Sequence, residues 1–218
     1  MIDKSQRQLY KITSSLLDKW LWYLNCSDAY KESAMTQLKN ALLNIWPDNV
    51  YTDKGQTFEQ EAVDGKHGKI SQLVKDLPTQ VFGGRVLDTA ELSFHVTGKF
   101  DFLDTKRKRI IDLKRVKKLY RDKWTTDRQT LQHLLYFYMT LPEYETFYYV
   151  IAHGEGDKYN IEVVQRDRPE TEELLEQLVK QNVLAFIEFL RRHDLLQDYL
   201  NNYKSKVKRE NIKYGETQ

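Results

Sequence analysis

The chain has 218 residues, 40% of them apolar and 12% aromatic, with a net charge of +2. That excludes a disordered polar chain and fits one domain with a sizeable core. A single cysteine, Cys26, excludes an internal disulfide and any four-cysteine zinc or iron–sulfur site within the chain. No apolar run approaches the roughly 20 residues that span a bilayer. Residues 1–7 lack the apolar core of a signal peptide, and a reducing, cytoplasmic setting is the simplest reading.

Residues 8–24 read as a helix, with Leu16, Leu17, Trp20, Leu21 and Leu24 recurring at spacings of three and four. Thr13-Ser14-Ser15 offers a cap for a shorter version, and the aromatic face of Trp20, Trp22 and Tyr23 reads as core. A second helix is expected from Ala29 to Trp46, ended by Pro47-Asp48-Asn49. After Gly55 a short helix carries Glu59 and Glu61. Phe58 and Ala62 form its apolar stripe, and Glu59 lies beside that stripe, able to point from the rim of a core into a site. Glu61 lies about 200° further round and is the weaker alternative.

Residues 68–76 suggest another short helix. Thr79–Leu87 reads as a strand turning at Gly83-Gly84, and Leu92–Leu103 as a longer strand in which Gly98 marks a bulge or a close approach. Phe100 and Phe102 are expected on one strand face, with Asp101 on the other. A basic turn, Thr105–Arg109, leads to a strand with Ile111 and Leu113 on one face and Asp112 and Lys114 on the opposite one. Pairing the two runs as a hairpin gathers Asp101, Asp112 and Lys114. Two carboxylates then hold a hard divalent cation, and an ammonium stands beside the reacting centre. Taken alone, Asp-x-Lys fits a solvated hairpin equally well.

From Lys99 to Lys123 there are 11 Lys and Arg against 4 Asp, a net of +7 that leaves −5 for the rest of the chain. Such concentration points to a polyanionic partner. Lys117, Lys118, Arg121 and Lys123 are candidates for phosphate contacts, and Tyr120 and Trp124 for stacking on unpaired bases. Thr126 and Gln129, in capping-box spacing, open a helix expected to reach Thr140. Its buried side is Leu131, Leu134, Leu135 and Tyr138, while Gln132 and Tyr136 share a face with polar tips suited to a phosphate or a lysine. Two strands, Thr146–His153 and Tyr159–Gln165, flank a turn at 154–157. A long helix is expected from Pro169 to Arg192, then a helical stretch from Leu195 to Tyr203 and a loosely ordered tail. The five histidines read as structural or surface residues.

Taken in order, Gly55 and Glu59, Gly98 and Asp101, Asp112 and Lys114, and Gln132 and Tyr136 resemble the motifs of the PD-(D/E)XK nuclease superfamily. The likeness is to its RecB-like, lambda-exonuclease-like branch of phage recombination systems. Ile12–Trp20 also looks like the opening of many RecB-like nucleases, and the resemblance covers residues 12–138. It implies an α/β fold whose central mixed sheet is flanked by helices. In that scheme 1–50 is an N-terminal helical segment, 51–167 a restriction-endonuclease-like catalytic core, and 168–218 the C-terminal helices and tail of the same domain. It also implies a metal-dependent deoxyribonuclease, an exonuclease that processes double-stranded ends. Mg²⁺ or Mn²⁺ would be held by Asp101, Asp112, the Leu113 carbonyl and Glu59. Lys114 would orient the attacking water and offset charge on the phosphate, with Gln132 and Tyr136 positioning the reacting groups. The family analogy adds DNA and a single-strand annealing protein as partners, no iron–sulfur cluster, and a ring-shaped homo-oligomer as one arrangement. No proline precedes Asp101, a departure from this branch. An endonuclease or a single-strand or flap nuclease on the same fold, and a non-catalytic nucleic-acid-binding module, are the alternatives.

Overall fold

A computed structural model describes residues 6–45, 50–154 and 159–212, without the side chains of 50–54. Among the described residues six strands form one mixed sheet. They are β1 (Leu9–Ile12), β2 (Thr79–Asp88), β3 (Ser93–Asp104), β4 (Arg109–Val116), β5 (Thr146–His153) and β6 (Asn160–Asp167). The order is β1-β3-β4-β5-β6, with β2 also paired to β3. The helices are α1 (Ser14–Asn25), α2 (Lys31–Leu42), α3 (Val50–Val63), α4 (Lys69–Val74), α5 (Arg121–Thr125), α6 (Gln132–Met139), α7 (Glu172–Arg192) and α8 (Leu196–Asn202). The fold is the expected mixed sheet flanked by helices. Among the described residues no helix is long and apolar enough to cross a membrane.

The sheet separates two apolar layers. On one side α1, α2, α6, α7 and α8 pack on Val81, Phe94, Val96, Phe100 and Ile110. On the other, Phe58 and Ala62 of α3 and Ile70 and Val74 of α4 cover Phe102, Ile111, Leu113 and Val150. Helix α7 presents Leu175, Val179, Val183, Phe186 and Leu190 to the first layer. Each such fully buried side chain stabilises the fold by about 1.5–3 kcal/mol. Helix α6 is buried on every side, so it behaves as a core element rather than an amphipathic one.

Strand β3 is the organising element. Along one edge β2 accompanies it from Ser93 to Phe102. The other edge is shared: β1 runs parallel to residues 93–96, and β4 runs antiparallel to residues 102–104. Between them, neither β1 nor β4 pairs with residues 97–101. This gap in the sheet positions the site.

Several elements depart from expectation. The stretch read as a helix from residue 8 begins with strand β1; four residues buried only at their two ends are too few to stand out beside a strong helical period. Thr13 then caps α1, its Oγ1 accepting from the Leu16 amide at 3.3 Å, and Leu24 is exposed. Helix α2 starts and stops inside its expected bounds, and Pro47–Asn49 lies outside the described residues. Gly55 lies within α3 rather than before it. Gly83-Gly84 makes no turn, because β2 runs straight through it. A Cβ on Gly84 would lie 2.5 Å from His95 Nε2, so this glycine admits the His95 ring. Thr126 and Gln129 do not open a helix: α5 ends at Thr125, α6 starts at Gln132, and the Thr130 hydroxyl accepts from the Gln132 amide at 3.2 Å. The turn expected at 154–157 and the tail beyond 212 fall largely outside the described residues.

Candidate active site

The gap beside β3 gathers the residues of the hairpin. Phe100 and Phe102 do not share a face. Phe100 packs towards α6, 4.7 Å from the Tyr136 ring, while Phe102 joins the layer under α3. The β2–β3 ladder pairs Val81 with Phe100 and Thr79 with Phe102 but skips Gln80 and Asp101, and Gln80 has φ 55°. This local irregularity interrupts the ladder without shifting its register and re-aims Asp101. The Asp101 carboxylate takes the role of a ladder carbonyl, its Oδ2 accepting from the Leu113 amide at 3.0 Å.

Across the gap, Asp112 is fully buried. Gln132 Nε2 donates to Asp112 Oδ1 at 2.6 Å, and Lys114 Nζ stands 2.6 Å from Oδ2. About a quarter of the Lys114 side chain, 28%, remains accessible, so the cluster borders solvent on this side. From the opposite layer, α3 brings in Glu59, whose Oε2 accepts from Gln80 Nε2 at 3.1 Å. Glu61 turns away to His67, 3.1 Å distant.

Gly98 and Tyr136 prove to be one contact. A Cβ on Gly98 would lie 2.9 Å from the Tyr136 ring and 2.9 Å from Met139 Cε. The missing side chain lets the ring cross β3, and the Tyr136 hydroxyl donates to the Lys99 carbonyl at 2.8 Å. A carbonyl in the unpaired stretch thus finds a partner. Tyr136 braces the strand that carries Asp101.

The electrostatics are uneven. Burial, then Asp112 and Glu59, push the Asp101 carboxyl well above its usual range, against the pull of Lys114. Burial likewise raises Glu59, with Asp112 adding to it and Lys114 and Gln80 opposing. Burial pushes the Lys114 ammonium down, but Asp112 and Asp101 together outweigh it and hold its pKa above the ordinary lysine value. Asp101 and Glu59 therefore stay raised despite the lysine beside them. Among the described residues no group of three or more His, Cys, Asp or Glu is already gathered as a metal site. The donors are nevertheless all hard oxygens, and Asp101 Oδ1 and Glu59 Oε1 take no hydrogen bond among the described residues, so the set suits a hard divalent cation.

The basic segment divides. Lys117, Lys118 and Tyr120 are exposed beyond the end of β4, with Lys118 Nζ 5.3 Å from the Tyr120 ring centre. Arg121 pairs with Glu162 at 2.8 Å. Lys123 is half-buried over the Trp124 ring. Trp124 does not offer a stacking face: it is 4% exposed and packs 5.1 Å from Tyr149. An indole carries too much apolar area to stay in water when a core pocket lies within reach.

Two residues escaped the sequence reading. Gln80 holds Glu59, and nothing in a strand-like run announces it. Asp18, on the inner side of α1, accepts from the Thr130 hydroxyl at 3.3 Å. Its buried Oδ1 has no hydrogen bond among the described residues. Burial raises its pKa to about 6, against Lys123, Thr130 and Lys114. Through Thr130 it supports the turn that delivers Gln132 to Asp112. A carboxylate bordering an apolar stripe was the available signal.

The sequence matches the family model of the PD-(D/E)XK nuclease superfamily over residues 13–201. Among solved structures, the crystal structure of SSO0001 aligns with a TM-score of 0.49 at 14% identity, covering 85% of this chain and 78% of that one. A protein of Eubacterium rectale, named provisionally as an exonuclease, aligns with a TM-score of 0.40 at 14% identity, covering 87% and 67%. No curated protein matches the sequence.

Proposed function

Because the chain belongs to the PD-(D/E)XK nuclease superfamily, we propose that it hydrolyses phosphodiester bonds of DNA with a divalent cation, Mg²⁺ or Mn²⁺, at the cluster of Asp101, Asp112, Lys114 and Glu59. The observation that carries this reading is the ion pair of Lys114 with the buried Asp112, standing across the sheet gap from Asp101. Members of the superfamily generally use divalent metals. Here Asp101, Asp112 and Glu59, with the Leu113 carbonyl, would hold the ion, which supplies Lewis acidity and a more acidic bound water.

The chain's own groups do the rest. Lys114, held against Asp112, orients a water and offsets the charge that develops on the phosphate. Gln132 fixes the Asp112 carboxylate by its amide, so the Lys114 pair has one geometry rather than several. Tyr136, tied to the Lys99 carbonyl, acts by positioning β3 and does not touch the reacting atoms. Lys117, Lys118, Tyr120 and Arg121 extend the cationic surface along which a DNA backbone would run.

The end-processing part of the reading, an exonuclease in phage-type recombination with a single-strand annealing protein as its partner, rests on the order of motifs from Gly55 to Tyr136. The test is digestion of linear and closed circular duplex DNA with Mg²⁺, with Mn²⁺ and with EDTA, for the wild type and Lys114→Ala. Metal-dependent loss of linear DNA alone, abolished by the substitution, is the expected result. Cutting of the circle would replace the exonuclease by an endonuclease. Binding without cutting under either metal would leave a nucleic-acid-binding module.

A further inference from the structure

Beside the carboxylates, the sheet carries an aromatic ring that the mechanism leaves unused. Phe82 lies on β2, 41% exposed. Its neighbour Val81 points into the core layer under α6, so Phe82 faces the other way. It pairs across the ladder with Lys99 of β3, itself exposed, whose Nζ stands 5.6 Å from the Phe82 ring centre. Two residues before Phe82 is Gln80, which holds Glu59. Two residues after Lys99 is Asp101. The backbones of Phe82 and Lys99 therefore lie about 7 Å along their strands from those of Gln80 and Asp101, one nucleotide's reach along an extended chain.

A solvent-facing aromatic ring offers a π face on which a base can stack, and a lysine beside it matches the phosphate of the same nucleotide. A cation over an exposed ring is held weakly, so Lys99 exchanges the ring for a phosphate readily. Bases inside a duplex keep both faces occupied by their neighbours, so only an unpaired base has a face to offer.

We infer that Phe82 and Lys99 form a subsite for an unpaired nucleotide adjoining the scissile phosphate, Phe82 stacking on the base and Lys99 pairing with the phosphate. This deepens the nuclease reading and rests on it for the identity of the neighbouring phosphate. It makes the preferred substrate an end with an unpaired strand.

The test is fluorescence anisotropy in EDTA with two labelled duplexes, one with a short unpaired overhang and one whose overhang is abasic. The wild type is expected to bind the base-bearing overhang about tenfold tighter. Phe82→Ala and Phe82→Leu, the latter keeping apolar bulk without a π face, are expected to bind both duplexes alike, and Phe82→Trp to keep the discrimination. Lys99→Gln is expected to reduce the slope of log affinity against log salt by about one. Equal binding of both duplexes by the wild type, or undiminished discrimination by Phe82→Leu, would overturn the subsite. Cleavage with Mg²⁺ is scored separately: cutting without base discrimination sinks the subsite alone, and discrimination without cutting sinks the nuclease reading alone.

Discussion

Asp104, at the end of β3, is gripped by Arg109 Nη2 at 2.7 Å and by the Arg107 amide at 3.0 Å. Three residues earlier, Asp101 receives one backbone amide and faces two further carboxylates. Burial pushes both carboxyls up. At Asp104 the two arginines outweigh it and hold the group below its usual range, while at Asp101 Asp112 and Glu59 add to it. The same side chain on the same strand is a structural anchor in one place and an unrelieved charge in the other. Proteins tolerate such unrelieved charge where it serves a site, at some expense in stability. The contrast separates the candidate active site from the many other acidic residues of the chain.

Reciprocal substitutions break or sharpen this contrast. Asp101→Asn is expected to lower DNA cleavage by about a hundredfold or more without lowering the unfolding temperature, since it removes like-charge repulsion. Asp104→Asn is expected to keep cleavage and to cost about 1–3 kcal/mol in urea unfolding. Reversed outcomes would exchange the two roles.

The basic segment offers a second pair. Trp124→Ala empties a core pocket and is expected to cost about 3–5 kcal/mol, whereas Tyr120→Ala, at an exposed ring, is expected to leave stability within about 0.5 kcal/mol while weakening DNA binding. Between these two falls Gly98→Ala. Its methyl would press on the Tyr136 ring and Met139, and overpacking of this kind costs about 1–3 kcal/mol. Because Tyr136 braces the strand that holds Asp101, cleavage should fall with it.

A purely pH-dependent effect lies at the opposite end of β3. Burial, reinforced by Lys11, lowers the His95 pKa from 6.5 to about 4. The unfolded chain therefore binds this proton first as pH falls. Stability from this residue is complete above about pH 6.5 and declines towards about pH 4. His95→Gln is expected to flatten that part of a urea-midpoint against pH curve. An unchanged slope would mean that the imidazole titrates as if exposed.

Much of this arrangement was legible in the chain. Asp-x-Lys on a strand dictates one face for Asp112 and Lys114, and the helical spacing of Gln132 and Tyr136 dictates another. What could not be read was non-local. Strand β1 is defined by a partner more than eighty residues away, which no local period records. The Phe100–Phe102 alternation fails because the ladder skips one pair, a property of two strands together. Trp124 looked like a surface aromatic in a run of lysines, yet Tyr149 from a distant strand offered it a core contact. Gln80 and Asp18 acquire meaning only from the groups that folding brings beside them.

The most direct measurement is calorimetric titration of Mn²⁺ into the wild type, Asp101→Asn and Asp104→Asn. The account predicts binding by the wild type and by Asp104→Asn, and its loss in Asp101→Asn. Equal binding by Asp101→Asn, or none by the wild type, would contradict a divalent-cation site in the gap beside β3.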